Sequence, residues 1–217
     1  GMLALMRVCG GSRAAAWVAA ASFAFSGVLV SEVFYFNFLP GAALLPWSLW
    51  ALARRPPRRL PRIVPVALVY GLMLLAGDAF SLVIAAASAV LWILLETARE
   101  ERAGRALELL AGLVVAALLA LPQIVATGLV APETRRMISG FRLQEVLTFS
   151  VRPARLLELV VPFPFGPAWS MDLSLDWGAA AFRRFFTTLF VGPIALIGIL
   201  RTFPGSPRGA RFARVLA

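Results

Sequence analysis

The sequence predicts an all-α, polytopic membrane helical bundle, with about six transmembrane helices and one long extracytoplasmic loop containing a short interfacial helix. Three observations lead to the bundle. Apolar residues are 60% of the chain and charged residues 15%, against roughly 45–50% and about 25% in an ordinary soluble domain. The apolar residues fall in long runs, and a hydrocarbon core about 30 Å thick asks for roughly 18 or more such residues in a helix. The third is the placement of charge. All 21 basic residues are arginine, and they bracket the runs: Arg7 and Arg13; Arg54 to Arg62; Arg99, Arg102 and Arg105; Arg201 to Arg214. With those clusters cytoplasmic, the runs between them cross in pairs. The net charge of +10 is thereby explained without nucleic acid, whose partners carry their arginines as a patch or stripe.

From the start, "GMLALMRVCGG" leaves no room for a complete span. It reads as the inner end of a helix that begins upstream, in a fragment of a larger protein whose N- and C-terminal parts are missing. A cleavable signal peptide is the competing reading. Gly10-Gly11-Ser12 predicts a turn with a serine N-cap, opening a helix through about Ser31. Residues 36–53 return, and Pro40-Gly41 and Pro46 predict a broken or kinked span packed against protein. "RRPPRRLPR" at 54–62 is a stiff basic cytoplasmic link, because proline cannot continue a helix and five arginines resist the bilayer.

Residues 63–77 and 80–96 form the next pair, joined at Gly77-Asp78. The first member is about 22 Å long, and a spanning and a re-entrant hairpin both fit. Glu96, Glu100 and Glu101 interleave with Arg99, Arg102 and Arg105 as a solvated helical turn with intrahelical ion pairs. A long helix over 106–130 carries Glu108 near its inner end and Pro122, which predicts a kink near its outer end. Residues 1–130 are thus helical hairpins, 131–183 the extracytoplasmic loop, 184–202 the last transmembrane helix and 203–217 a cytoplasmic linker.

Within the loop, "SVRPARLLELVVPFPFG" (150–166) predicts a short helix capped by Ser150, with Pro153 in its first turn. Leu156, Leu157, Val160 and Val161 share one face, and Arg152, Arg155 and Glu158 another. About nine residues reach roughly 14 Å, too short to span. A helix lying on the outer membrane surface fits, ended by Pro162 and Pro164.

The available chemistry is narrow. One cysteine, Cys9, and no histidine exclude a disulfide within the chain and histidine-based zinc or triad chemistry. No nucleotide loop or nucleophile elbow is present. Four stretches in order, "SGVLVSEVFYFNFLPGAALLPWSLWAL" (26–52), "LLAGDAFSLVIAAASAVLWILL" (74–95), "ALLALPQIVATGL" (117–129) and 150–166, resemble the bacterial YfhO family of the GT-C glycosyltransferase superfamily, over an interior part of the family's length. The chain departs from the family's pattern at Asp78-Ala79-Phe80, where a Pro-Gln-like pair is expected, and at Glu32 and Asn37, in a turn often richer in histidine. The resemblance implies a multi-pass protein of the bacterial inner membrane that transfers a sugar from a polyprenyl-phosphate donor to an acceptor on the outer face. Its partners would be membrane lipids and the polyprenyl-phosphate sugar. The catalytic carboxylate of such enzymes would lie upstream of Gly1.

The resemblance gives the loop arginines a use. Arg135, Arg136, Arg142, Arg152 and Arg155 carry forks that suit phosphate oxygens, though anionic headgroups, water and an Arg155–Glu158 pair are equally open to them. Asp78 stands at an outward turn, where it either caps the next helix or meets substrate. Asp172 and Asp176, four apart, are the candidate ligands for a divalent metal ion, the one cofactor suggested, or simply a solvated pair. Glu32 ends an outward helix against the macrodipole preference, with no partner named by the sequence. Trp169 and Trp177 fit a sugar face or the interfacial aromatic belt. Two other function classes remain: a transporter or flippase bundle, in which a broken span such as 36–53 lines a path, and a non-catalytic membrane scaffold.

Overall fold

The computed structural model describes residues 1–33, 38–54, 61–140, 153–161, 164 and 189–192. Among these the regular structure is entirely helical. The elements are α1 (Met2–Val8), α2 (Arg13–Ala24), α3 (Gly27–Glu32), α4 (Leu39–Ala53), α5 (Ile63–Ala76), α6 (Ala79–Glu96), α7 (Arg99–Leu119), α8 (Leu121–Val130) and α9 (Arg135–Ile138), with 3-10 helices at Ala131–Glu133 and Pro153–Leu159.

Local chemistry explains most boundaries. Ser12 caps α2, accepting from the Ala15 amide at 3.1 Å. The helix expected to run through Ser31 breaks at Phe25-Ser26 instead. Ser26 becomes an N-cap in extended backbone, and its hydroxyl, donating to the Phe23 carbonyl at 2.9 Å, offers the chain an alternative to the helical ladder. The return helix shows the opposite correction. Pro40 falls in the first turn of α4, where its missing N–H costs nothing. Pro46 lies inside α4, which runs through it from Leu39 to Ala53 without a break.

Gly77 closes α5 in the left-handed region (φ 75°), which favours glycine. Helix α7 starts at Arg99, ahead of the expected 106, and the chain bends by 67° between Arg99–Leu119 and Leu121–Glu133, where Pro122 in the first turn of α8 predicts a break. Of the expected last transmembrane helix over 184–202 only residues 189–192 are described, and these four are not helical. Gly192 there takes φ 90°, and a residue preceding proline is pushed out of the helical region.

Helix α5 is the centre. It packs most extensively on α7, and α4 lies against α1, α5 and α6. Tyr70, Met73 and Val66 of α5 are fully buried, and the Tyr70 hydroxyl donates to the Ala85 carbonyl of α6 at 3.0 Å. What lets the helices approach is the size of the facing residues. On α6 the buried residues are Ser81, Ala85, Ala89 and Ile93, one every four. On α7 they include Gly112 and Ala116, and a Cβ at Gly112 would stand 2.5 Å from Val66 Cγ1. Large apolar side chains point the other way: Leu68, Leu72 and Leu75 of α5 and Leu107, Leu110 and Leu118 of α7 are all exposed.

Helix α6, with 18 residues and a mean hydropathy of 2.1, is long and apolar enough to cross a membrane. The bent pair from Arg99 to Glu133 meets the same test if taken as one span, while α4 and α5 are apolar but shorter.

Candidate functional site

The antiparallel course of α3 to α7 collects the chain into two ends. One holds the end of α3, the start of α4 and the α5–α6 turn; the other holds the end of α4 and the starts of α5 and α7. Each has buried charge.

At the first end Asp78 is 2% exposed. Its Oδ1 accepts from the amides of Phe80 at 3.0 Å and Ser81 at 3.2 Å, so the capping role holds. The carboxylate also presses on α4. A Cβ on Gly41 would stand 2.9 Å from the Cβ atoms of Asp78 and Ser81 and would collide with the carboxylate. Glycine is required by that approach rather than by its backbone angles.

Glu32, the last residue of α3, is 7% exposed, and its Oε2 has no hydrogen-bond partner among the described residues. Asp78 lies within its electrostatic reach. A desolvated carboxylate beside a second one suits a cation or a hydroxyl-bearing guest. Next to Glu32, the Ser31 hydroxyl donates to the Gly27 carbonyl at 2.6 Å. No group of three or more metal-binding side chains occurs among the described residues, so the carboxylates there form no ready-made metal cage.

The other expected site residues are placed less fully. Arg135 and Arg136 lie in α9, beyond the 67° bend, and Arg155 in the 3-10 helix Pro153–Leu159; for these three the backbone is described. Arg142, Arg152, Asp172 and Asp176 lie outside the described residues. The interfacial helix is corrected in two respects. It is a 3-10 helix, Pro153–Leu159, and its Glu158, expected on the face of Arg152 and Arg155, is held by a backbone amide. Glu158 is 2% exposed and accepts from the Leu189 amide at 3.2 Å, while Leu156, Leu157, Val160 and Val161 are exposed. The buried carboxylate meets a backbone donor, and the apolar side chains face out.

The second end holds what sequence reasoning missed. Arg62 was expected in a solvated link, yet it is 8% exposed and pairs with Glu108 at 2.5 Å. The partners are 46 positions apart, so no local spacing announces them. One of the expected intrahelical pairs is present nearby, Arg105 with Glu101 at 3.7 Å, and Arg105 also approaches Glu108 at 3.5 Å. A groove of about 460 Å³ between α6 and α7 is lined by Val90, Ile93, Leu94 and Leu110, with Arg102 at its edge; neither carboxylate of the first end borders it.

No protein-family model, curated protein or solved structure matches this chain.

Proposed function

We propose that the chain is a multi-pass membrane core of about six crossings, belonging to an enzyme that transfers a sugar from a polyprenyl-phosphate donor to an acceptor on the outer face of the bacterial inner membrane. One observation supports the membrane part of the reading: α6 and α7 present mostly small residues to α5, while many large apolar side chains of all three helices face outward. In water the inverse arrangement is favoured, because burying a leucine stabilises more than burying an alanine. In lipid the tails are as apolar as leucine, so helices associate through close backbone approach at Gly, Ala and Ser. The bracketing arginines then put the Glu32–Asp78 end outside and the Arg62–Glu108 end inside.

The transfer part is supported by the sequence resemblance and by the outer carboxylates. Glu32 is a desolvated acceptor with an oxygen to spare, suited to a sugar or acceptor hydroxyl, and Asp78 is held rigid by two amides beside it. In this reading Arg135, Arg136, Arg142, Arg152 and Arg155 hold the lipid phosphate as it departs. The test is sugar transfer from a polyprenyl-phosphate donor by the full-length protein in membranes. Glu32→Gln and the double change Arg135→Gln/Arg136→Gln are expected to lower transfer by roughly tenfold or more at unchanged protein level. Unchanged transfer in a variant removes its residues from the site, and no transfer by the unaltered protein overturns the reading.

The transporter alternative is favoured by one feature, the unpartnered Glu32 oxygen, since an intramembrane carboxylate commonly marks a solute or proton path. It predicts solute movement into vesicles without any change in the sugar donor. A non-catalytic scaffold predicts neither activity.

A further inference from the structure

The Arg62–Glu108 end holds more positive charge than its carboxylates answer. Arg62 gives Nη1 to Glu108 Oε2 at 2.5 Å and Nη2 to the Arg54 carbonyl at 3.4 Å, but its buried Nε has no partner among the described residues. Arg105 approaches the same Glu108 oxygen through Nη1 at 3.5 Å, an ion pair without hydrogen-bond geometry, so that this nitrogen is also unpartnered. Arg54 lies over the Trp50 ring, Cζ 4.9 Å from its centroid, with Nε and Nη2 buried and unpartnered. Glu101, the other carboxylate in contact among the described residues, is 64% exposed. Two guanidinium groups therefore share one partly buried carboxylate, and with Arg54, whose carbonyl accepts from Arg62, four buried donor nitrogens are unused among the described residues.

A desolvated cation without its full set of acceptors is costly, and structures keep one where an anion completes it. We propose that the ends of α4, α5 and α7 form a phosphate-binding site, with Arg54, Arg62 and Arg105 as the donors. Four donors carried on three separate planar groups suit the tetrahedral oxygens of a phosphate better than the two coplanar oxygens of a carboxylate, which one fork already satisfies. The phosphate belongs either to the headgroup of an anionic phospholipid or to free inorganic phosphate. The site lies at the opposite end of the helices from Glu32 and Asp78 and does not rest on the transfer chemistry.

The experiment is thermal unfolding of the full-length protein, purified in a neutral, phosphate-free detergent. It is titrated separately with inorganic phosphate, with phosphatidylglycerol in mixed micelles, and with diacylglycerol as the phosphate-free lipid. A saturable rise in Tm is expected with phosphatidylglycerol or inorganic phosphate and not with diacylglycerol. The midpoint should move to about tenfold higher concentration in Arg54→Gln and in Arg62→Lys. Arg62→Lys keeps the charge and can keep the pair with Glu108, so it reads the lost fork even if Arg54→Gln fails to fold. A rise with phosphatidylglycerol alone assigns the headgroup, and a rise with inorganic phosphate assigns the free ion; both uphold the site. No rise, an equal rise with diacylglycerol, or midpoints unmoved in Arg62→Lys would overturn it.

Discussion

The two ends of the helices bury charge of opposite sign and settle it differently. At the Asp78 end, one carboxylate is held by backbone amides two and three residues along its own chain, while Glu32 keeps an oxygen without a partner among the described residues. At the Arg62 end, charge is answered by charge across helices, through a carboxylate that two arginines share. The difference teaches which residues are structural. A cap belongs to its own helix and can be swapped for another cap, whereas a cross-helix ion pair ties α5 to α7 and leaves a buried charge behind when it is cut.

That contrast is broken most forcefully at Glu108. Glu108→Ala strands the Arg62 guanidinium and is expected to lower stability by about 3 kcal/mol, the lower part of the range for cutting a buried pair because Glu108 is partly exposed. Thermal unfolding of the purified protein reads this, with Glu32→Gln as the counterpart: it removes an unpartnered carboxylate and should leave Tm unchanged or raised. A large loss in Glu32→Gln would mean that Glu32 is paired after all.

Next in size is Gly41→Ala, which drives a methyl group into Asp78 and Ser81 and should cost about 2 kcal/mol by overpacking. Asp78 itself is expected to matter less to folding. Asp78→Ala should cost about 1 kcal/mol through the lost cap, and Asp78→Asn, which still caps, only a few tenths. If both Asp78 variants are as damaging as Glu108→Ala, the cap is not its main role.

The smallest effect concerns Cys9, at the turn between α1 and α2. Burial first, and the charge of Glu96 second, push its thiol pKa up. At neutral pH less of it is thiolate, so alkylation by iodoacetamide should be slower than for a free cysteine. Glu96→Gln removes one of the two causes, lowers the pKa and should speed the reaction modestly. An unchanged rate would show that Glu96 is not close enough to act.

What could be read from the sequence was what lies within one turn of chain. Ser12, Gly77-Asp78 and Pro122 each carry their reason in adjacent residues, and each marks a boundary where expected. Ser26-Gly27 carried a similar signal inside an apolar run, and the run outweighed it. The spacing Ser81, Ala85, Ala89 and the pair Gly112, Ala116 went unread inside apolar runs, although small residues four apart can mark a packing face; the helix contacts show α5 as their shared neighbour. Arg62 with Glu108 could not be read, because the pair depends on how α5 meets α7. Helical periodicity set Glu158 on the face opposite Leu156, Leu157, Val160 and Val161, but not its burial against the Leu189 amide, a donor 31 positions away. Glu32 was legible as an unusual residue; that Asp78 stands near it depends on the end of α3 meeting the start of α6.

The account rests on the two ends lying on opposite faces of a membrane, and site-directed labelling tests that most directly. In a Cys9→Ser background, Glu133→Cys lies beyond the α7–α8 bend on the Asp78 side, and Glu100→Cys lies in the first turn of α7; both positions are exposed. A membrane-impermeant maleimide applied to cells with a permeable outer envelope and an intact inner membrane should label Glu133→Cys, and label Glu100→Cys only after lysis. Equal labelling of both before lysis, or the reverse order, would contradict the account.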